Sequence, residues 1–253
     1  MNILITGATS GIGQALALHY LAQANSQDHV FVIGRSQNKL SLLEDKGAIS
    51  LACDLTQKQA VLNLAADISK RAEHLDLVIL NAGNCIYYEP EHNENAANSL
   101  SSVLVKNIES NLFTMAYAID LVLPFLTRST SRTQAPKLVL MGSLASDFPF
   151  TKSQGYGSSK AAVAYLAKSL QVDYPQINVS LVQPGFVKTP LTDKNEFKMP
   201  ALVSTDQAAD AIVSGIENNK SLIRFPTIFS FIIKCLGAFP LGLQLYIAKK
   251  MKQ

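Results

Sequence analysis

Short apolar runs that alternate with longer helical patterns constrain the fold of this 253-residue sequence more than any other feature. Most of the runs are continuously apolar, which is typical of strands that are covered on both faces in a parallel sheet. We predict strands at residues 2–5, 30–33, 49–53, 75–80, 137–141 and 178–182, with a seventh, weaker strand at residues 222–225.

The segments between these runs carry the spacing of helices. Apolar residues at Ile108, Leu112 and Met115 follow the i, i+4, i+7 pattern of a buried helical face. We predict helices at residues 12–24, 57–71, 103–126, 156–172 and 205–216. This alternation predicts an α/β fold, a doubly wound, Rossmann-like parallel sheet with helices on both faces. We expect one domain over residues 1–253, with a core at 1–225 and a C-terminal helical extension at 226–253.

Composition limits the classes of function. The chain is 48% hydrophobic and 16% charged, so it can bury a sizeable core. The net charge of +3 is mild and no basic run accompanies aromatic residues, so no nucleic-acid partner is expected. The cysteines, Cys53, Cys85 and Cys235, are odd in number and lack metal-ligand spacing, which favours a reducing, cytoplasmic compartment and no metal. We expect no signal peptide, because an apolar strand starts at Asn2.

The first predicted strand leads into the glycine-rich segment TGATSGIG, residues 6–13, and then into a helix. Glycines permit a tight turn, and the N-terminus of the helix offers free N–H groups and a positive dipole end to a diphosphate. The alternative is a glycine-rich turn that binds no ligand. The position of the segment, after the first strand of a βαβ series, favours a dinucleotide site.

Arg35 follows the second predicted strand, at the point where enzymes that select NAD place an acidic residue. A guanidinium there suits the 2′-phosphate of NADP, and the alternative is an arginine in a solvated loop. Asp54 follows the third strand. Its carboxylate could accept a hydrogen bond from the adenine amino group or cap the next helix.

Further motifs lie at the ends of the later strands. NAG at residues 81–83 follows the fourth strand, Ser143 follows the fifth, and YGSSK carries Tyr156 and Lys160. With TGATSGIG, with SNLF around Asn111 and with VQPGFVKT at residues 182–189, these motifs resemble the short-chain dehydrogenase/reductase family over residues 2–225. The sequence departs from the family at Leu80, where many members have asparagine.

Tyr156 and Lys160 are four residues apart, so a helix places them on one face. A lysine ammonium beside a phenol favours the phenolate. In a half-buried site, together with a positively charged nicotinamide ring, we expect it to lower the pKa of Tyr156. The alternative is a chance pair on an ordinary helix.

The resemblance implies roles for four catalytic residues. Tyr156 is the general acid in reduction and the general base in oxidation, and Ser143 binds the substrate oxygen. Lys160 lowers the pKa of Tyr156 and binds the nicotinamide ribose. Asn111 holds a water on a proton path; alternatively it is a polar residue that kinks its helix. The implied cofactor-binding residues are Gly7, Thr9, Ser10, Gly11, Ile12, Gly13, Arg35, Asp54, Leu55, Asn81, Ala82, Gly83, Tyr156, Lys160, Pro184, Gly185, Val187 and Thr189.

The function that the resemblance implies is hydride transfer between NADP(H), rather than NAD(H), and a small carbonyl or alcohol substrate. The alternative is a catalytically silent NADP-binding regulator or scaffold on the same fold. An apolar substrate is indicated by Ile86, Tyr87, Phe148, Phe150, Phe186, Phe197 and Met199, although core packing explains these residues equally well. Cys85 either lines the pocket or is a buried, inert thiol.

The resemblance also implies a homo-oligomer, with a dimer favoured over a tetramer, formed through the helices at 103–126 and 156–172. The apolar C-terminal extension has three open interpretations: it covers the pocket, joins an interface, or contacts a membrane through Lys249, Lys250 and Lys252. We favour packing against the substrate loop.

Overall fold

The computed structural model describes residues 1–89, 99–128, 134–195 and 198–251. Its centre is a seven-stranded parallel sheet with the strand order β3-β2-β1-β4-β5-β6-β7. The strands are β1 (Asn2–Thr6), β2 (His29–Gly34), β3 (Ile49–Ala52), β4 (Leu77–Leu80), β5 (Lys137–Met141), β6 (Asn178–Pro184) and β7 (Leu222–Phe225). The predicted α/β class, doubly wound sheet and single domain are confirmed.

Helices cover both faces of the sheet. They are α1 (Gly11–Gln23), α2 (Gln37–Glu44), α3 (Lys58–Ser69), α4 (Leu100–Ile108), α5 (Thr114–Thr127), α6 (Gln154–Asp173), α7 (Thr205–Glu217), α8 (Thr227–Gly237) and α9 (Leu241–Met251). Helix α7 begins with a capping box, in which the Ser204 hydroxyl accepts from the Gln207 N–H and the Gln207 side chain accepts from the Ser204 N–H. The short helix α2 was not predicted from the sequence.

Adjacent residues of β1 point to opposite faces of the sheet and so enter separate cores. Leu4 packs with Phe31 and Val78 on one face, beneath α3, α5 and α6. Ile3 and Ile5 pack on the other face, beneath α1 and α7. Both faces are covered, which explains why the strands are continuously apolar in sequence.

Most predicted elements differ from the observed ones by one or two residues at their ends. Two of the differences have an identifiable structural cause. The fourth strand begins at Leu77 rather than at residue 75, because the Leu75 N–H donates to the Phe125 carbonyl of α5 instead of to a neighbouring strand. The predicted helix at 103–126 is α4 and α5 joined by a π-helical turn, Glu109–Phe113, which contains the buried Asn111. Single π turns of this kind are frequent at functional sites.

Among the described residues, the run Leu100–Thr127 is long and apolar enough to cross a membrane by length and composition. Half of that window is buried, and α5 packs on α3 in the core. We therefore interpret this run as a core helix.

The parallel strands all end at one edge of the sheet. The chain leaves β1 toward β2 on one side and returns to β4 on the other, so the loops after β1 and β4 diverge around a crevice. Ligands of open α/β sheets bind in such crevices.

Candidate active site

A cleft of about 320 Å³ lies in this crevice. All but two of the predicted catalytic and cofactor-binding residues line it; Gly13 and Ser143 do not. Of the predicted apolar pocket residues that the structure describes, none lines it: Ile86, Tyr87, Phe148, Phe150, Phe186 and Met199. Residues that were not predicted also line it: Gly34, Cys53, Thr56, Asn84, Ser110, Thr114, Met141, Gly142, Pro190, Leu191 and Thr192. The cleft thus extends from the end of β2 at Arg35 to Tyr156 and Lys160 on α6.

The glycine-rich segment forms the floor of the cleft. Gly7 has a φ of +66°, which side chains disfavour, and a Cβ at Gly13 would lie 2.3 Å from the Gly7 carbonyl oxygen. The resulting tight turn brings Ser10 and Ile12, at the start of α1, to the cleft wall. The N–H groups of that first turn precede the helical ladder and are suited to an anion.

Asn81, in the NAG motif, braces this turn from β4. Its Nδ2 donates to the carbonyl oxygens of Thr6 at 3.2 Å and Gly7 at 3.3 Å. In return the Ala82 N–H donates to the Thr6 hydroxyl, at 3.1 Å. The motif therefore holds the phosphate turn in place through the ends of two adjacent strands.

At the far end of the cleft Arg35 is exposed, and among the described residues no ion pair involves it. Thr9 lies across from it: a Cβ at Gly34 would approach the Thr9 Cγ2 to 2.5 Å. Thr9 and Arg35 thus face the same part of the cleft.

Asp54 is not the cap of the next helix, because α3 begins at Lys58 with Gln57 at the N-cap position. Its Oδ1 accepts from the Thr56 N–H at 3.1 Å and from the Thr56 hydroxyl at 2.9 Å. The helix-cap interpretation of Asp54 is wrong. Its role toward adenine stays a prediction.

The opposite end of the cleft is buried. Ser143 lies close enough to the Tyr156 phenol to lower its pKa, and the Ser143 hydroxyl oxygen accepts from the Ala145 N–H at 3.1 Å. Lys160 is 3% exposed, and its Nζ donates to the Met141 carbonyl at 2.9 Å. That nitrogen lies 5.7 Å from the centroid of the Tyr156 ring.

The pKa of Tyr156 is not lowered, contrary to expectation. Burial raises it, the neighbouring Cys85 raises it further, and the hydrogen bond from Ser143 lowers it by less. Burial also lowers the pKa of Lys160 to about 8, because removal from water destabilises the charged ammonium. Burial therefore determines the direction of the pKa shift, and the Lys160 ammonium does not reverse it.

Asn111 is fully buried and bonds to the loop after β4. Its Oδ1 accepts from the Asn84 N–H at 3.0 Å, and its Nδ2 donates to the Asn84 carbonyl at 2.8 Å and to the Ser159 hydroxyl at 3.1 Å. The Ser159 hydroxyl donates in turn to the Tyr156 carbonyl, at 2.7 Å. Asn111 therefore connects the loop after NAG to the helix that carries Tyr156.

Asn107 has a parallel role that the sequence analysis missed. Its Oδ1 accepts from the Ile86 N–H at 3.2 Å, while its Nδ2 donates to the Ile86 carbonyl at 2.9 Å. Asn107 and Asn111 lie four residues apart, and this spacing on one helical face was the signal available in the sequence.

Cys85 and Tyr87 lie beside the catalytic pair. The Cys85 thiol is close enough to Tyr156 and Lys160 to affect their pKa values, and it shares a hydrogen bond with Tyr87. Burial raises the pKa of Cys85 to about 11, which keeps the thiol neutral and unreactive. Each of the two earlier interpretations holds in part, because Cys85 is an inert thiol that lies next to the site.

A polar network behind Ser143 was also missed. Gln183 on β6 donates to the Ser146 hydroxyl at 2.6 Å and to Asp147 at 3.1 Å, and Asp147 forms an ion pair with Arg224 on β7. The turn that follows Ser143 is thereby tied to the neighbouring strands. No pattern in the sequence indicated this network, because its residues are far apart along the chain.

Helix α8 covers this side of the site. Phe229 stacks near Phe186 with ring centroids 5.9 Å apart, and Ile233 packs on Leu144 and Phe148. Phe148, a predicted pocket residue, is 3% exposed and belongs to this cluster. Phe197, another predicted pocket residue, and Lys252 lie outside the described residues.

Comparison with known proteins identifies the family. The family model for short chain dehydrogenase matches residues 1–199. The chain belongs to the short-chain dehydrogenase family. It is an oxidoreductase that acts on CH–OH groups with a nicotinamide dinucleotide as acceptor, and the Rossmann-like sheet and the motifs at its strand ends agree with this.

Individual proteins illustrate the similarity. An uncharacterized oxidoreductase of Myxococcus xanthus is 31% identical over 232 residues, which cover 88% of this chain and 86% of that protein. The NADP-dependent 3-hydroxy acid dehydrogenase YdfG of Escherichia coli is 25% identical over 74% of this chain and 73% of its own. A short-chain dehydrogenase of Burkholderia phymatum, solved with NAD, superposes with a TM-score of 0.77 at 19% identity, over 92% of this chain and 91% of its own.

Proposed function

We propose that this protein is an NADP(H)-dependent reductase of a small carbonyl compound, or the corresponding alcohol dehydrogenase, with Tyr156 as general acid and base. The observation that carries the proposal is the set of the buried Ser143 and Lys160 with the half-buried Tyr156, near one end of a cleft whose other end holds an exposed arginine. When bound, the nicotinamide supplies or accepts the hydride.

The chain's residues suit such a dinucleotide. The glycine turn and the first N–H groups of α1 are suited to its phosphates, and Arg35 with Thr9 to the adenosine 2′-phosphate. The name of the Escherichia coli relative supports NADP, while the Burkholderia phymatum structure holds NAD. The preference for NADP(H) is therefore a proposal that rests on Arg35.

Tyr156 is the general acid of the reduction. Its phenol is protonated at neutral pH, which is the form that a general acid requires, and burial raises its pKa further. The Ser143 hydroxyl lies beside it and stabilises charge on the same oxygen that Tyr156 protonates. After proton donation the buried Lys160 is the nearby cation that favours the phenolate.

Asn111 is a positioning residue in this proposal. Its contacts with Asn84 and Ser159 fix the loop and helix that border the catalytic pair. A proton path through water at Asn111, which the family resemblance implies, is part of the proposal. The half-buried side chains of Ile86, Tyr87 and Phe186 favour an apolar substrate.

We also propose a homo-oligomer, most simply a dimer, in the cytoplasm. Leu104 and Val105 on α4 and Tyr165 and Val172 on α6 are exposed apolar residues on helices that pack on each other. Burying such residues against a second copy is favourable. Light scattering at micromolar concentration tests this, and a monomer would contradict it. The C-terminal extension packs by α8 against the pocket, and its outer face is available for a peripheral membrane contact.

A panel of aldehydes, ketones and alcohols, assayed by NADPH absorbance, tests the activity. Turnover of at least one carbonyl substrate that depends on Tyr156 supports the proposal. Tight NADPH binding with no turnover on a broad panel would favour the catalytically silent regulator instead.

A further inference from the structure

Helix α8 is apolar on both of its faces. Ser230 and Ile233 are buried against the body of the protein. On the outer face Ile228 is 79% exposed, Phe231 65% and Ile232 47%. These three residues follow the i, i+3, i+4 spacing, so they form one stripe in contact with solvent. A helix that is apolar all round is normally buried in protein or in lipid.

Helix α9 follows α8 and also exposes apolar residues. Its inner side carries Ile247 and Ala248, which pack on the cluster around Ile233, and the Gln244 side chain donates to the Gly237 carbonyl at 2.9 Å. Its remaining apolar residues are exposed: Leu241, Leu243, Leu245, Tyr246 and Met251. We call the exposed apolar residues of α8 and α9 the C-terminal face.

The charge of this region has one sign. No Asp or Glu occurs after Glu217 in the sequence, whereas Lys234, Lys249 and Lys250 are all exposed on α8 and α9. An apolar surface flanked by cations is complementary to a bilayer that carries anionic headgroups.

We propose that the C-terminal face docks on an anionic lipid bilayer. Each helix has 11 residues and is too short to span the hydrocarbon core, so both lie in the interface. Ile228, Phe231 and Tyr246 enter the acyl boundary while the lysines contact headgroup phosphates. The proposal is independent of the cofactor and substrate.

A second copy of the chain fits this surface less well than a bilayer does. A two-fold interface places the same patch on both subunits, so the patch would bring Lys234, Lys249 and Lys250 of one subunit together with the same three cations of the other. The acid-free segment after Glu217 provides no carboxylate within the patch to compensate them. Like charges across an interface oppose association.

Docking would bring the catalytic cleft near the lipid. The inner face of α8 contacts Phe186, in the loop after β6, and Leu144, which follows Ser143. A bilayer held against the outer face is therefore one helix away from residues that border the site.

The test is co-sedimentation of the full chain with vesicles of phosphatidylcholine alone and with phosphatidylglycerol added. We expect binding to the anionic vesicles that weakens in high salt. Replacing both Ile228→Asp and Phe231→Asp should lower the partition coefficient at least about a hundredfold, since each buried side chain contributes about tenfold or more. Replacing Lys249→Gln and Lys250→Gln should lower it by about tenfold or more on anionic vesicles only.

The control pair is Asn38→Asp with Leu42→Asp, which adds the same charge on exposed positions of α2. It should bind vesicles nearly as the wild type does, apart from the effect of net charge. Thermal melting followed by circular dichroism checks that every variant is folded. Failure of the wild type to bind anionic vesicles overturns the proposal. An equal loss of vesicle binding in the α8 aspartate pair and in the α2 control pair also overturns it. So does a wild type that forms a dimer and does not bind vesicles, if the α8 aspartate pair converts that dimer to a monomer.

Discussion

The two ends of the cleft are built in opposite ways. At the end near Tyr156, Lys160 is buried and donates to the Met141 carbonyl, and Tyr156 is half-buried beside it. At the other end Arg35 and Asp54 are exposed on loops after β2 and β3. Burial shifts pKa values and costs stability at the first end, whereas the second end offers a charge that solvent screens. Mutations at the first end should therefore change chemistry and stability, and those at the second should change selectivity alone.

The largest expected effect is that of Tyr156→Phe. The ring and its packing are kept while the transferable proton is lost, so turnover should fall about a hundredfold or more. NADPH affinity, measured by fluorescence titration, should change little. Tyr165→Phe, at an exposed position of the same helix, is the matched control. Near-normal turnover of Tyr156→Phe would remove this residue from the mechanism.

Much of this difference between the two ends of the cleft could be predicted from the sequence. The strand-end motifs follow from local order along the chain, because parallel strands bring their carboxyl ends to one edge. The direction of the Tyr156 pKa shift could not, because it depends on burial in the folded chain and on Cys85, which lies about 70 residues away along the sequence. The ion pair of Asp147 with Arg224 could not be predicted either, because the two residues are far apart along the chain.

Lys160→Met tests whether the buried ammonium of Lys160 lowers the free energy of unfolding. Burial lowers the pKa of Lys160 from 10.5 to about 8, which corresponds to a cost of about 3 kcal/mol for keeping the ammonium at neutral pH. The unfolded chain binds this proton more tightly, so wild-type stability should rise as the pH increases from about 8 to 10.5. Lys160→Met should be about 1–3 kcal/mol more stable than wild type at pH 7, with turnover lost.

Urea unfolding followed by circular dichroism at pH 7 and at pH 10 measures this. The difference in unfolding free energy between Lys160→Met and the wild type should be smaller at pH 10 than at pH 7. Lys168→Met, at an exposed position on α6, is the control and should be close to neutral at both. A destabilised Lys160→Met at pH 7 would show that the bond to the Met141 carbonyl outweighs desolvation.

Arg35→Asp tests the exposed end. A charged, bidentate hydrogen bond to a 2′-phosphate is worth roughly 1.5–3 kcal/mol, so the wild type should prefer NADP(H) over NAD(H) by about 10- to 150-fold. The variant should abolish or invert that preference without a change in unfolding free energy. Arg71→Asp makes the same charge change at another exposed position and should retain the preference. Equal affinity of the wild type for both cofactors would contradict the proposal and support the alternative, that Arg35 is an arginine in a solvated loop.

Thr9→Val should have the smallest effect of the four. Valine keeps the shape that packs beside Gly34 and removes only the hydroxyl, a neutral donor worth about 1 kcal/mol, so NADPH affinity should fall about fivefold. Salt separates this loss from that of Arg35. The preference due to the guanidinium should decrease as ionic strength rises, whereas the ratio of wild type to Thr9→Val should stay nearly constant. Titrations of NADPH and NADH at two salt concentrations measure both. An equal loss for NADH would show that Thr9 contacts a part of the dinucleotide other than the 2′-phosphate.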